Sequence, residues 1–478
     1  MTCSRRASRT ITVLMATTAL IGAGSAAAQD RGDLEDRVSR LEGLLERILE
    51  RLEDHGSKLE GQEVELLEQA QRIVDQQQQM VEQKQQVAQV SETVREVATN
   101  VDPERATGFS IGDTQVGFGG FVKLDTTATR FSDGDLPSGS LGRDFYFPGL
   151  IPVGGGGVDD GGDDGFDLDF NPRETRFIFT TTTPVGGHRL GSHLEFDFQV
   201  TSGANERVSN SFTPRMRRAF LTFDNWLFGQ DWSTFQDVGA LPENLDFIGP
   251  AESTTFVRQA VIRYTRGPLE LAIEQPEGTF TPFGGGRIAP GDERLPDFVA
   301  RYSLRRDWGT VRLAGIVREL RVEEGTLATI TEDESAIGYG ASLSGKINVG
   351  ERDDVRFMVN VGEGLGRYVG LNLVNGAAID ENGELDAILL YSAFASYRHF
   401  WTPKWRSNLT LGGFKADNPT ELTGLGVTDS AWSVHANILY SPVSKFTVGL
   451  EYIYAAREIE SGESGNMNRI QFSAKYGF

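Results

Sequence analysis

The sequence is almost without cysteine and has few histidines. Its 478 residues contain 1 cysteine, Cys3, which precedes the first apolar run in a segment that we expect to be removed. A disulfide scaffold, a cysteine-ligated metal site and a cysteine nucleophile are therefore excluded from the mature chain. The 5 histidines lie in no recognisable serine-nucleophile motif. We expect a protein that is not an enzyme and that holds no metal and no cofactor.

The sequence also has fewer basic than acidic residues, with 46 lysines and arginines and 68 aspartates and glutamates. The formal net charge is -22 and the pI about 4.8, which excludes a general affinity for nucleic acid. The acidity is concentrated in residues 34–101 and in the run from Asp159 to Asp169, whereas arginines gather in the strand-like segments. Calcium binding in an external loop is one interpretation of the acidic run, and a flexible, solvated loop is the interpretation that we favour.

Long apolar runs are absent after the N terminus. The first residues have the three parts of a secretory signal: a positive stretch from Arg5 to Arg9, a short apolar core from Ile11 to Ala23, and small residues at Ala26 to Ala28. Residues 1–28 are predicted to be a signal peptide, with an uncleaved anchor as the alternative. No later segment could span a membrane as a helix, so a membrane protein with this sequence must be a β-barrel.

A heptad repeat follows the signal. From Leu34 to Val101 apolar residues recur at alternating spacings of four and three, over about ten heptads where three or four indicate a coiled coil. Position a is apolar throughout and position d is polar in its middle. Position a holds Val38, Leu45, Leu52, Leu59, Leu66, Ile73, Met80, Val87, Val94 and Val101. Position d holds Leu34, Leu41, Ile48, His55, Gln62, Gln69, Gln76, Gln83, Val90 and Val97.

This stripe predicts self-association, because a single helix could not bury it. Polar residues on the seam fix the register and the number of chains. Residues 30–103 are therefore predicted to form a coiled-coil stalk that reaches roughly 100 Å. A solvated linker is the alternative, since residues 62–89 are rich in glutamine. The unbroken seven-residue phase favours the coiled coil.

The period changes to two beyond Pro103. In residues 189–200, Leu190, Leu194 and Phe196 alternate with polar residues such as Glu195, which predicts a strand with one apolar and one charged face. The pattern continues to the end of the chain and predicts about sixteen antiparallel strands in residues 110–478. The predicted strands are 114–131, 173–183, 189–200, 215–224, 226–233, 254–265, 268–275, 297–305, 309–320, 336–349, 353–363, 386–399, 403–415, 430–441, 445–457 and 468–478. The fold class is an all-β transmembrane barrel preceded by an α-helical coiled coil.

Connection lengths give a second, independent indication of a barrel. Short turns alternate with long loops, as they do between the periplasmic and external ends of outer-membrane barrels. The short turns are predicted at 184–188, 224–225, 266–268, 306–308, 350–352, 400–402 and 442–444. Both ends of the barrel domain then lie on the periplasmic side, which predicts a periplasmic stalk.

Aromatic residues mark the predicted strand ends. They are either interfacial girdles or packing residues. The tryptophans are Trp226, Trp232, Trp308, Trp401, Trp405 and Trp432. The last strand alternates from Ile470 to Phe478 and ends in an aromatic residue, which is common in barrels exported to the outer membrane.

Several segments together resemble the DcaP-like family of trimeric outer-membrane porins. They are the N-terminal heptads, Gly119–Asp125, Trp226–Phe235, Phe256–Tyr264 and the C-terminal Gly477–Phe478. The resemblance covers nearly the whole mature chain. It implies a homotrimer of sixteen-stranded barrels in outer-membrane lipid, with periplasmic stalks, that takes up small, mostly anionic organic acids by diffusion.

The polar strand faces carry many arginines, whose planar guanidinium groups match carboxylates. We predict that the pore is lined by Arg176, Arg218, Arg258, Arg263, Arg301 and Arg318. Further arginines on these faces are Arg312, Arg356 and Arg406. The alternative for each is a structural salt bridge to Glu174, Glu195, Asp197, Glu270 or Glu274.

The third long connection, residues 236–252, is acidic. In general porins the corresponding loop folds inward, so Asp237, Glu243 and Asp246 are predicted to face the arginines across a constriction. The expected function is a porin for small carboxylate-bearing solutes. The alternative is a structural protein that tethers the outer membrane to the cell wall through its stalk.

Overall fold

The computed structural model divides the chain into two units, residues 1–100 and 101–478. It describes Gly43, which is helical, and residues 107–157, 165–200, 209–327 and 330–478. Apart from Gly43, the predicted signal peptide and coiled coil lie outside the described residues, as does the centre of the acidic run. No described helix is long and apolar enough to cross a membrane.

Strands dominate the described residues. In chain order they are β1 (Thr107–Ile111), β2 (Thr114–Phe131), β3 (Asp167–Asn171), β4 (Arg176–Val185), β5 (His188–Asp197), β6 (Arg215–Phe223), β7 (Trp226–Trp232), β8 (Arg258–Arg266), β9 (Leu269–Glu274), β10 (Phe280–Thr281), β11 (Asp297–Arg306), β12 (Gly309–Val322), β13 (Glu334–Val349), β14 (Asp353–Glu363), β15 (Ala377–Ile379), β16 (Leu385–Ala387), β17 (Leu389–Phe400), β18 (Trp405–Asp417), β19 (Thr428–Val443), β20 (Phe446–Ile459) and β21 (Ser464–Gly477). The short helices are α1 (Leu141–Asp144) and α2 (Thr420–Thr423), with 3-10 turns at Pro148–Leu150, Val238–Ala240, Ala251–Ser253 and Gly366–Tyr368.

The described strands close into an antiparallel barrel with 16 wall strands. Strand β2 completes the ring, because it pairs with β21 from Phe121 to Phe131 and with β4 from Gln115 to Phe121. Two further strands, β1 and β3, are added to β2. The predicted sixteen-stranded all-β barrel is therefore confirmed.

Seven short connections lie at one end of the barrel, at the predicted places. They follow β4, β6, β8, β11, β13, β17 and β19. One is the pair Asp224-Asn225, in which Asp224 has a φ of 50° as tight hairpin turns require. The start of β2 and the end of β21 are at this same end, since Val122 is paired with Tyr476 beside the last short turn.

The period of two separates an apolar outer face from a polar inner face. Leu194 of β5 is 43% exposed, whereas its neighbour Glu195 is 2% exposed and faces the lumen. Exposed apolar side chains on the outside of a barrel form the belt that lipid covers. Trp226, Trp308 and Trp401 are exposed near short turns, as a girdle requires. Trp232 instead packs inside the barrel.

The structure departs from the prediction where loops pair with the wall. Strand β8 begins at Arg258, four residues later than expected, because residues 254–257 belong to an inward loop. The Phe256 amide donates to the Tyr368 carbonyl oxygen there, at 3.2 Å. Strand β3 and the small sheet of β10, β15 and β16 were not predicted, because such short strands carry almost no alternation.

One glycine allows two wall strands to approach closely. Gly120 of β2 has a φ of 143°, and a Cβ atom there would lie 2.1 Å from the carbonyl oxygen of Arg176 in β4. Only glycine adopts this conformation without strain and leaves this space. The β2–β4 pairing that closes the barrel therefore depends on it.

Loops fill much of the interior. The connection from β2 to β3 and the connection from β7 to β8 share a hydrophobic cluster that contains Tyr146, Ile248 and Ile453. The connection from β14 to β17 contributes Tyr368 to a second cluster with Phe235. The passage through the barrel is thus narrowed by three loops that pack against the wall and against one another.

Candidate functional site

The connection between β7 and β8 crosses the inside of the barrel. The Leu245 amide donates to Glu451 of β20 at 2.7 Å, and Gln471 of β21 donates to the Leu245 carbonyl oxygen at 2.9 Å. Asn437 of β19 donates to the carbonyl oxygen of Glu243 at 3.0 Å. We call residues 236–252 the constriction loop, because a segment bound to distant wall strands reduces the open cross-section.

The predicted acidic residues of the constriction loop hold the loop in place. Asp237 accepts hydrogen bonds from Arg312 and, at 2.9 Å, from Ser344. Glu243 lies between Arg398, at 2.8 Å, and Arg406. These carboxylates contact arginines directly and do not face them across an open gap.

In the described part of the chain, Asp246 binds backbone amides and pairs with no arginine. It accepts hydrogen bonds from the amides of Tyr146 at 2.7 Å and Ile248 at 3.1 Å. Burial raises its pKa, and His435 and Arg469 oppose that rise. Burial would also raise the pKa of Glu243, but Arg406 and Arg398 lower it below the ordinary value.

Many of the predicted arginines have partners. Arg301 pairs with Glu270 at 2.6 Å and donates to the Gln236 carbonyl oxygen at 2.5 Å. Arg263 pairs with Asp231 at 2.9 Å, and Arg318 with Asp297 at 3.3 Å. Arg356 donates to the Leu241 carbonyl oxygen. The pair of Arg301 with Glu270 is one that the salt-bridge alternative named, whereas Asp231 and Asp297 were not among its partners. A role of these arginines in permeation stays a prediction.

A second group of arginines lies on the inner wall formed by β4, β6 and β8. We call Arg176, Arg215, Arg217 and Arg258 the guanidinium cluster. Arg176 lies 3.4 Å from Glu195, and Arg215 lies 3.0 Å from Asp197. Arg217 contacts the same two carboxylates at 2.6 and 2.7 Å. Among the described residues Arg176, Arg215 and Arg217 share Glu195 and Asp197, and Arg258 pairs with no carboxylate. The four guanidinium groups therefore have an excess of positive charge.

The neighbouring Arg218, also predicted to line the pore, pairs with Asp231 at 2.7 Å. Strict alternation would place either Arg217 or Arg218 outside the barrel. A bulge, at which Glu195 is paired with Arg218 but Phe196 with Met216, turns both inward. Arg217 is accordingly only 2% exposed. The sequence-based prediction missed Arg217 and Arg215 because a bulge has no signature in a polar run.

Three aromatic rings lie beside the guanidinium cluster. Trp232, Phe247 and Phe256, which we call the aromatic shelf, are half-buried. The Trp232 and Phe256 ring centroids are 4.9 Å apart, and those of Phe247 and Phe256 are 5.8 Å apart. The Arg258 guanidinium lies 4.6 Å from the Trp232 centroid, and that of Arg217 lies 5.4 Å from the Phe247 centroid. Such stacking orients a guanidinium group and leaves its N–H edge for a ligand.

A cavity of about 650 Å³ adjoins the constriction loop on the side of the short turns. Its basic lining residues are Lys123, Arg176, Arg406, Lys445 and Lys475, and its acidic ones are Glu174, Glu243 and Asp246. Positive groups therefore outnumber carboxylates. Lys445 and Lys475 were not predicted as lining residues, although both occur near the ends of the last two strands. In the described part of the chain no group of three His, Cys, Asp or Glu side chains could hold a metal ion.

Known outer-membrane proteins share the family pattern and the fold of this chain. The family model described as DcaP outer membrane protein matches residues 53–478. The crystal structure of the outer membrane channel DcaP of Acinetobacter baumannii is similar, with a TM-score of 0.63 and 23% identity over 78% of this chain and 99% of that one. An anion-selective porin from Comamonas acidovorans has a TM-score of 0.44 and 11% identity, over 76% of this chain and 100% of that one. No curated protein sequence matches.

Proposed function

The chain belongs to the DcaP outer membrane protein family, and from this premise we propose that it is a channel through which small anionic solutes, chiefly carboxylates, diffuse passively. The family membership and the closed barrel support the channel itself. The guanidinium cluster supports the preference for anions, and it is the observation on which the proposal rests.

Charge in the narrow part of a channel decides which ions enter it. The guanidinium cluster carries four positive charges, and Glu195 and Asp197 beside it carry two negative charges. Groups inside a barrel are screened less than groups on an open surface, so the excess attracts anions. The cavity beside the constriction loop has an excess of the same sign. Arg176 belongs to both, so the cavity and the guanidinium cluster form one continuous region of positive potential.

Liposome swelling with the purified protein tests this proposal. Mono- and dicarboxylates should enter faster than cationic solutes of similar size, because the guanidinium cluster repels cations. The variant Arg176→Gln should narrow the difference, whereas Arg306→Gln, which removes an exposed arginine at a short turn, should leave it unchanged. Faster entry of the cationic solutes would overturn the proposal.

The subunit arrangement is part of the same proposal. The heptads of residues 30–103 support self-association through a stalk, and the resemblance to trimeric porins supports three subunits. The start of β2 at the short-turn end agrees with a periplasmic N terminus. The native mass of the intact chain in detergent measures the number of subunits. A mass of one or two chains would contradict the trimer.

A further inference from the structure

Arg258 differs from the other members of the guanidinium cluster. Among the described residues it pairs with no aspartate or glutamate, and its Nη1 atom is buried without a hydrogen-bond partner. Arg176, Arg215 and Arg217 each contact a carboxylate within 3.4 Å. A buried guanidinium nitrogen without an acceptor is unfavourable, so a ligand that supplies a carboxylate oxygen would be stabilised there.

The electrostatic surroundings of Arg258 also favour an anion. The nearby charges that act on it are the positive ones of Arg217, Arg215 and Arg176 and the negative one of Asp197. Asp197 is already engaged by Arg215 at 3.0 Å and by Arg217 at 2.7 Å. The surroundings of Arg258 are therefore positive, and the nearby carboxylate of Asp197 is already bound to Arg215 and Arg217.

The aromatic shelf fixes the orientation of this site. The Arg258 guanidinium lies 4.6 Å from the Trp232 centroid and 5.5 Å from that of Phe256. A carboxylate bound at the N–H edge of a stacked guanidinium lies close to the guanidinium plane. Whatever is attached to the carboxylate then extends towards the aromatic shelf, whose neighbouring rings meet edge to face: Trp232 and Phe256 at 67°, and Phe256 and Phe247 at 73°.

We propose that Arg258 and the aromatic shelf form a binding subsite for aromatic carboxylates, with the acid group on Arg258 and the ring of the solute on Trp232 or Phe247. This inference rests on the proposed function, since it names the class of anion that the channel holds longest. A small aliphatic acid gains the charge-assisted hydrogen bonds alone, whereas an aromatic acid also gains ring stacking.

Competition between three acids tests the subsite. Benzoate, cyclohexanecarboxylate and acetate are each added to the full-length protein in a planar bilayer, and the block of the chloride current gives an apparent affinity. Benzoate should bind about threefold to tenfold more tightly than cyclohexanecarboxylate, which has the same charge and a similar size but no aromatic ring. Arg258→Gln should weaken benzoate binding about tenfold or more, while Arg306→Gln should not change it.

The variants separate this inference from the proposed function. The double variant Trp232→Leu, Phe247→Leu removes both rings on which the solute would stack, so it should abolish the advantage of benzoate. It keeps every charge, so it should retain the anion preference in KCl. Arg258→Lys gives a second measurement if Arg258→Gln does not fold, because lysine keeps the charge but loses the planar donor edge. Equal affinities of the wild type for benzoate and cyclohexanecarboxylate would overturn the subsite alone. A wild type that prefers cations in KCl would overturn the proposed function and the subsite together.

Discussion

Replacing Glu243 with glutamine should loosen the constriction loop. Glu243 accepts from Arg398 at 2.8 Å and from Arg406, and its side chain is 31% exposed. Removing one member of a buried ion pair costs up to several kcal/mol, and an exposed pair contributes little. The partly buried position of Glu243 suggests an intermediate loss of about 1–3 kcal/mol in the free energy of loop docking.

The consequence is a larger population of undocked loop. A loss of this size raises that population about 5- to 150-fold, because docking and undocking form a two-state equilibrium. The undocked loop no longer occupies the lumen, so single channels in planar bilayers should show frequent transitions to a higher conductance. Arg406 then loses its carboxylate partner and Arg398 keeps only Asp354, so the preference for anions should increase at the same time.

The matched control is Glu351→Gln. Glu351 is exposed in the short turn between β13 and β14, so this variant removes the same charge far from the constriction loop. It should behave as the wild type does. Current traces of Glu243→Gln that match those of the wild type in noise, conductance and ion preference would refute the view that Glu243 holds the loop.

Two further predictions concern the wall and the pH dependence. Gly120→Ala should destabilise the barrel by about 1–3 kcal/mol, because a φ of 143° disfavours a side chain and the Arg176 carbonyl oxygen occupies the space of the new Cβ atom. The control Gly413→Ala should be neutral, because the space around Gly413 is open. Equal midpoints of thermal unfolding in detergent for the two variants would contradict this prediction. Burial raises the pKa of Asp246 and of Glu252, so the docked loop binds protons that an undocked loop releases. Docking is then strongest at acid pH and weakens as the pH rises above the ordinary carboxyl pKa of about 4, so current noise should grow from there towards neutrality. The lowered pKa of Glu243 acts in the opposite sense only below that range. Noise that stays constant or decreases as the pH rises would contradict the prediction.

The wall of the barrel could be predicted because its physical cause repeats along the chain. Each wall strand faces an apolar solvent on one side and water or polar groups on the other, which imposes a period of two. The predicted strand 114–131 and β2 have identical bounds, and the short turns lie where they were expected. A local pattern of this kind is visible in one sequence.

The interior could be predicted only in outline. The inward constriction loop followed from the general porin plan, but its partners depend on contacts between residues far apart in the chain, such as Glu243 and Arg406. The inward position of Arg217 depends on a bulge, and the place of Trp232 in the aromatic shelf depends on Phe256 from the following loop. Such long-range packing leaves no periodic signal in the sequence.

The reversal potential of the full-length wild-type protein under a KCl gradient tests the central claim most directly. An excess of guanidinium groups over carboxylates on the inner wall predicts that chloride crosses more readily than potassium. The reversal potential should therefore have the sign of the chloride equilibrium potential. A reversal potential with the sign of the potassium equilibrium potential would contradict the account. The guanidinium cluster of Arg176, Arg215, Arg217 and Arg258 would then not govern which ions pass.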